Sequence, residues 1–132
     1  MSNRLSLILS IILTFLFSWI LGLFFVWWSI GIAGFLAGII LPQKPFSAFK
    51  SGFWGGFLEW FVFSIYIDIR NHQLLSERVS ILLFDFNFPL IIILFTSVIG
   101  GITASLGAVM SSHINGLFRK KYLFLEVFKE ED

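Results

Sequence analysis

The sequence predicts an all-α fold: a polytopic bundle of four helices in the cell membrane, arranged as two helical hairpins with both termini cytoplasmic. Three observations support this expectation: the composition, the spacing of the uncharged runs, and the uneven placement of lysine and arginine. Hydrophobic residues make up 58% of the 132 residues and charged residues 13%, whereas soluble domains average about 45–50% and about 25%. We expect one transmembrane domain over residues 1–116 and a cytoplasmic tail over 117–132.

The first uncharged run, residues 5–41, is too long for one span. As a single helix it would measure about 55 Å at about 1.5 Å per residue, against a hydrocarbon core of about 30 Å. We therefore expect spans over about 5–22 and 25–41, joined by a tight turn that places Trp27 and Trp28 at the headgroup level. A cleaved signal peptide is disfavoured, because its apolar core is normally about 7–15 residues long and ends at a small-residue cleavage site.

The second half of the chain contains two further runs. Prolines and a lysine at residues 42–45 end the second span, since proline cannot continue a helix. The third span is expected over about 51–69 and the fourth over about 89–112. Pro89 suits the first turn of the fourth helix, and Asn115–Gly116 is typical of a helix C-terminal stop.

Two segments allow more than one interpretation. Residues 79–86 are too short to span the bilayer, so they lie in the outer interface, re-enter it partway, or extend the fourth helix at its N-terminus. The tail from residue 117 mixes aromatic and basic residues and ends in acidic ones. It is either a continued helix with a solvated acidic tip, or a segment that lies on the inner membrane surface or docks onto a partner.

Lysine and arginine set the orientation, because positively charged residues near short loops are retained in the cytoplasm. With four spans, most of these residues fall on one side, which predicts that both termini are cytoplasmic. Three or five spans would distribute them over both sides. The larger group is Arg4, Lys44, Lys50, Arg119, Lys120, Lys121 and Lys129, and the smaller group is Arg70 and Arg78.

Small residues at three- or four-residue spacing mark the expected helix contacts, since lipid provides no hydrophobic drive for association and close packing needs small side chains. Three such seams predict a compact bundle, with one seam available for another chain. They consist of Gly31, Gly34 and Gly38 in the second span, Gly52, Gly55 and Gly56 in the third, and Gly100, Gly101, Ala104 and Ala108 in the fourth. A looser seam in the first span consists of Ser10, Thr14, Ser18 and Gly22.

Glu59 is the most informative polar residue. It lies about 12 Å along the third helix from Ser51 at about 1.5 Å per residue, near mid-depth, where a carboxylate costs at least about 2.5–3.5 kcal/mol. It shares a helical face with the glycines of its span, which predicts that the carboxyl points into the bundle. No lysine or arginine is expected at this depth, which favours the neutral acid. We expect its hydrogen-bond partners to be serine, threonine or backbone oxygens, such as those of Thr103 or Ser105.

Glu59 has two interpretations. It is either a structural acid, hydrogen-bonded across helices or to another subunit, or a proton or cation site in a small transporter or channel. The structural interpretation is favoured, because a transport path usually needs more than one polar residue along it. Asp85 is the other candidate, but it is expected at the outer interface, where a charge costs little.

Other chemistry is not indicated. The chain has no cysteine, and His72 and His113 are expected on opposite sides of the membrane. Asp68 and His72 are spaced for one helical face, but a metal site needs at least a third ligand. Since the chain also has no phosphate-binding glycine loop or hydrolytic triad, we expect no metal, no cofactor and no enzymatic activity.

Three glycine-rich segments carry a resemblance to a known group. Residues 34–38 (GFLAG), 51–58 (SGFWGGFL) and 99–101 (IGG) resemble those of small archaeal glycine-rich four-helix membrane proteins of unknown function. The resemblance covers most of the chain and implies this architecture in a prokaryotic cell membrane, without implying an activity. The phenylalanine- and tryptophan-rich spans depart from the more alanine-rich spans of that group.

The small size, the glycine seams and the high aromatic content favour a structural or accessory subunit of a larger membrane complex. Its expected partners are the lipid bilayer and other membrane subunits or a second copy of this chain, and nucleic acid is not expected. The alternative is a homo-oligomeric small transporter or ion channel that uses Glu59 as a proton or cation site.

Overall fold

The computed structural model describes residues 3–24 and 27–129, with side chains over 4–24 and 27–119. These residues form helices and no strands, which confirms the predicted all-α class. Two of the helices are long and apolar enough to cross a membrane, over Arg4–Phe24 and Pro89–Arg119. The five helices are α1 (Asn3–Phe24), α2 (Ser29–Ile40), α3 (Pro45–Arg70), α4 (Leu74–Phe84) and α5 (Pro89–Lys129).

The third helix begins earlier than the expected start at residue 51. Pro45 is its first residue, and Lys44 before it is extended, with φ −64° and ψ 149°. Proline is favoured in the first turn because its missing N–H would have no helical partner there and its φ is already helical. The helix therefore includes Lys50, which the sequence interpretation placed in the loop.

Residues 79–84 form the second half of a separate helix, α4, so the alternative in which this segment extends the fourth helix is wrong. Asp85 ends α4 in the left-handed region at φ 61°. The Phe88 N–H then donates to Ser80 Oγ at 3.2 Å, which closes the turn into α5. At the other end of α4, Ser76 donates a hydrogen bond to the Asp68 carboxylate of α3.

The expected stop at Asn115–Gly116 is also wrong, because α5 continues through both residues to Lys129. Asn115 Nδ2 donates to the Gly38 carbonyl at 3.0 Å, so this amide supports the C-terminal turn of α2 and leaves its own helix intact. No described glycine has a positive φ. Of the expected tail, residues 130–132 lie outside the described residues.

Four helices form an up-down-up-down bundle, with α4 beside α5. The hydrogen bonds from Ser10 to Ser51 and from Ser18 to Glu59 have the same sequence offset, so α1 and α3 are parallel. Both α1 and α5 pack against α2 and α3. The α2–α3 loop defines one end, called the Gln43 end, and the α3–α4 turn defines the other, called the Asn71 end.

Gln43 fastens the loop at its own end of the bundle. Its Nε2 donates to the Ser6 carbonyl of α1 at 2.8 Å, and Ser51 Oγ of α3 donates to its Oε1 at 3.1 Å. Ser112 of α5 donates to the Gln43 carbonyl at 2.7 Å. One loop residue therefore holds three helices in register.

Glycine allows the helix backbones to approach one another. A Cβ on Gly34 would overlap the carbonyl oxygen of Ala104, and a Cβ on Gly107 would overlap that of Gly31. Gly52 and Gly56 face the α5 backbone near Ala104 and Gly100 respectively, at 2.9 Å and 2.8 Å from the position of an added Cβ. The glycine seams of α2, α3 and α5 are therefore filled within the chain.

Candidate functional site

Glu59 lies inside the bundle, with only 3% of its surface exposed. Its Oε2 accepts a hydrogen bond from Ser18 Oγ of α1 at 3.0 Å. The two expected partners on α5 are not used: Thr103 Oγ1 donates to the Ile99 carbonyl at 2.9 Å and Ser105 Oγ to Ile102 at 2.7 Å. The carboxyl therefore bonds to the first helix, and the prediction of a partner on α5 is wrong.

This result follows from the two faces of α3. Adjacent residues of a helix are about 100° apart, so Gly55 and Gly56 point to different neighbours. Gly56 faces Ala104 of α5, whereas a Cβ on Gly55 would lie 2.7 Å from Thr14 of α1. Glu59 is four residues after Gly55 and so lies on the face toward α1.

A polar seam follows the contact between α1 and α3. Ser10 donates to Ser51 at 3.2 Å, and one turn further Thr14 packs against Gly55. A second turn further, Ser18 meets Glu59. The loose small-residue seam of the first span thus supplies the hydroxyl that holds the carboxyl.

Thr14 occupies the middle of this seam. It is fully buried, and its Oγ1 makes no hydrogen bond to any described residue. Leaving a buried hydroxyl unpaired costs about 1–3 kcal/mol. Because Thr14 is fully buried and packs tightly against Gly55, this contact closes the seam between the Gln43 end and Glu59.

Replacing Thr14 with valine is expected to raise the free energy of unfolding by about 1–3 kcal/mol, because valine keeps the shape and removes the unpaired hydroxyl. Thermal unfolding of the purified protein in mild detergent measures the effect. Thr96→Val is the matched control and should be destabilising, since Thr96 donates to Ile93 at 2.9 Å and pairs with Ser64 at 3.3 Å. Destabilisation by Thr14→Val would contradict the assignment of Thr14 Oγ1 as a buried hydroxyl without a hydrogen-bond partner.

A cavity of about 340 Å³ adjoins Glu59 on the side away from Thr14. It is called the Glu59 cavity here, and it lies between α1, α2, α3 and α5. The position of a Cβ on Gly22 is 3.9 Å from Glu59 Oε1, so no side chain of α1 fills that approach. The lining includes Ser18, Gly22, Trp27, Ser29, Ile30, Trp60, Phe63, Ser64, Ile67 and Thr96.

A second cavity of about 260 Å³ continues toward the Asn71 end. It is lined by Asp68, Asn71 and Ser76 among others, and is called the Asp68 cavity. Three residues line both cavities: Ser64, Ile67 and Thr96. The two cavities therefore abut at the Ser64–Thr96 hydrogen bond, and polar groups extend from the end of α3 to Glu59.

A third cavity, of about 610 Å³, lies apart from this path at the Gln43 end. Lys44, His113 and Arg119 line it together with Gln43. The closed contact between Thr14 and Gly55 lies between this cavity and Glu59. The Glu59 and Asp68 cavities thus lie on the Asn71 side of this contact.

Metal-ligand clusters are absent from the described residues, where no group of three or more histidine, cysteine, aspartate or glutamate side chains could hold an ion. Asp68 accepts a hydrogen bond from Ser76. His72 adopts a positive φ of 53° in the turn after α3, and His113 lines the cavity at the opposite end. Asp85 is exposed at the end of α4.

Sequence reasoning found Glu59 but missed most of its surroundings. Ser18 was recognisable as a member of a four-residue polar repeat on the first span. Ser64 and Thr96 carry no local signal, because their pairing depends on how α3 packs on α5. Trp60 was also missed, although its ring lies 2.5 Å from the position of a Cβ on Gly100 and so needs a glycine opposite it.

The resemblance to small archaeal glycine-rich four-helix membrane proteins stays a prediction. Comparison of the chain with protein-family models, with curated proteins and with solved structures finds no match.

Proposed function

We propose that this chain is a multi-pass membrane protein whose four bundle helices, α1, α2, α3 and α5, cross the bilayer. The support is an inverted distribution of side chains. Serines and Glu59 are buried, while leucine, isoleucine and phenylalanine side chains cover the surface. Soluble proteins bury these large apolar residues and rarely expose extended apolar surface. In a lipid environment, exposing these apolar side chains has no such free-energy cost.

The short helix α2 fits this proposal with a local adjustment. Its 12 residues extend about 18 Å at about 1.5 Å per residue, whereas the hydrocarbon core is about 30 Å thick. A bilayer accommodates a short segment by thinning locally. Trp27 and Trp28, 65% and 49% exposed before α2, supply interfacial anchors at that point.

We propose that the Gln43 end and both termini are cytoplasmic, because positive residues concentrate there. Single cysteines test this orientation, since the chain has none of its own. A membrane-impermeant maleimide is expected to label Asn71→Cys in intact cells and Gly116→Cys only after lysis. Both positions are exposed. The reverse labelling pattern would contradict the orientation.

We further propose that Glu59 is the proton- or cation-binding group of a small transporter. The observation that carries the proposal is the one-sided access to this carboxyl. Glu59 lies at the inner end of the two abutting cavities and is separated from the Gln43 end by the Thr14–Gly55 contact. A binding group that one side reaches while the other is closed is one of the two states that alternating access requires.

Flux through the purified protein tests this function. Proteoliposomes with a trapped pH-sensitive dye, and a parallel set with a sodium-sensitive dye, are given a membrane potential of either sign. Ion movement above that of protein-free vesicles is expected. Absence of flux for both ions and both signs of the potential would refute the transporter.

The accessory-subunit function is a second candidate, supported by an aromatic ladder on α3. Phe49, Phe53, Phe57 and Phe61 stack at four-residue intervals, with ring centroids 6.3, 5.9 and 6.1 Å apart. Because the glycine seams are filled within the chain, a partner subunit would contact such side chains instead. Purification in mild detergent, followed by identification of a stoichiometric membrane partner, would support this candidate.

A further inference from the structure

We propose that the Glu59 cavity binds an organic ammonium cation. This inference rests on the proposed cation-binding role of Glu59 and names the class of its ligand. Three features carry it: the side of the carboxyl that faces away from Ser18, the aromatic residues that line the same cavity, and the single acidic group there.

The carboxyl is held on one side and open on the other. Ser18 donates to Oε2 at 3.0 Å, which fixes the orientation of the group. Oε1 lies on the Gly22 side, where a Cβ added to Gly22 would lie 3.9 Å from it, in van der Waals contact, and where glycine leaves that space open. An ammonium group that enters the cavity can therefore pair with Oε1 without displacing Ser18.

Three of the eleven residues that line the cavity are aromatic. Trp27, Trp60 and Phe63 line it together with the carboxyl. Aromatic rings attract cations within about 6 Å of the ring centroid, and the attraction increases when water is excluded. Among the described residues that line the cavity, Glu59 is the one acidic group, so a monovalent cation balances its charge.

An inorganic ion is a poorer match for this cavity. Calcium, for example, takes about 6–8 oxygen ligands and carries two positive charges, whereas this cavity offers one carboxylate and the hydroxyls of Ser18, Ser29, Ser64 and Thr96. The Ser64 and Thr96 hydroxyls also pair with each other at 3.3 Å. The volume of about 340 Å³ lies near the lower end of the range of about 300–1,000 Å³ for small-molecule sites. This size fits a small amine or quaternary ammonium compound.

The approach to the cavity also favours a cation. The Asp68 cavity abuts the Glu59 cavity and contains a second carboxylate, which accepts a hydrogen bond from Ser76. Charged walls of one sign concentrate ligands of the opposite sign. A cation entering from the Asn71 end thus passes Asp68 before it reaches Glu59.

Calorimetry on the purified protein in detergent tests the inference, with choline as the probe. Its neutral isostere 3,3-dimethylbutan-1-ol has the same shape without the charge. We expect choline to bind at least tenfold more tightly than the isostere, and Glu59→Gln to remove this preference. Equal affinities, or no choline binding to the unaltered protein, would overturn the proposal.

Gly22→Leu is the second variant, because a leucine there occupies the approach to Oε1 and leaves the carboxyl in place. We expect at least tenfold weaker choline binding. Gly116→Leu is the matched control, since nothing lies within 4 Å of a Cβ at Gly116. A thermal unfolding transition checks that each variant is folded. Equal choline affinities of the two folded variants would contradict the location of the site.

The outcomes separate this inference from the function on which it rests. Glu59-dependent ion flux without choline binding would end the ammonium proposal and leave the transporter intact. Choline binding without any flux would end the transporter and leave a binding site. A choline preference that survives Glu59→Gln would place the ligand elsewhere in the protein and refute the inference.

Discussion

Replacing Glu59 with glutamine is expected to reduce ion flux through reconstituted protein to the level of protein-free vesicles, a loss of at least tenfold. Glutamine keeps the length of the side chain, and its carbonyl can still accept the hydrogen bond from Ser18. It cannot ionise, so the site can neither hold and release a proton nor pair with a cation. Dye-based flux in proteoliposomes measures the effect.

The matched control for this substitution is Glu77→Gln on α4. Glu77 lies in the first turn of that helix and does not line the Glu59 cavity, so its variant should retain flux. Glu59→Gln should change the free energy of unfolding by less than about 1 kcal/mol, because the hydrogen bond survives. Undiminished flux in a folded Glu59→Gln protein would refute the transport role and favour a structural acid.

Replacing Gly34 with leucine is expected to destabilise the bundle by at least about 1–3 kcal/mol, the usual cost of overpacking, and to lower the yield of folded protein. The first added atom would overlap the carbonyl oxygen of Ala104. Backbone cannot move aside as the end of a side chain can, so α2 and α5 must separate. Thermal unfolding in mild detergent and the monodisperse fraction after purification measure the loss.

Gly116→Leu is again the appropriate comparison. It introduces the same side chain into a helix of the same bundle, at a position where nothing lies within 4 Å of an added Cβ. We expect its stability to stay within about 0.5 kcal/mol of the unaltered protein, as for ordinary surface substitutions. If Gly34→Leu were equally mild, the close contact between α2 and α5 would be wrong. Gly107→Leu tests the same contact from the other side.

The positions of the helix ends show where local signals fail. Residues 42–45 were interpreted as the end of the second span, and α2 does end before them, at Ile40; that Pro45 also begins α3 was missed, although proline is compatible with a first turn. Asn115–Gly116 was interpreted as a stop, yet Asn115 uses its amide to bond Gly38 on α2. The effect of Pro45 is local, whereas a contact with a neighbouring helix decided the effect of Asn115.

The sequence by itself determined the helical class, the approximate location of the four long apolar segments and the singular position of Glu59. These features follow from composition and from the cost of placing a charge among apolar residues, which are properties of single segments. The tertiary structure alone decided that Glu59 faces Ser18 on α1. Adjacent glycines point about 100° apart, so the neighbour met by each face depends on helix packing. The cavities beside Glu59 likewise exist only where four helices converge, and the sequence of one segment does not predict how the four helices pack.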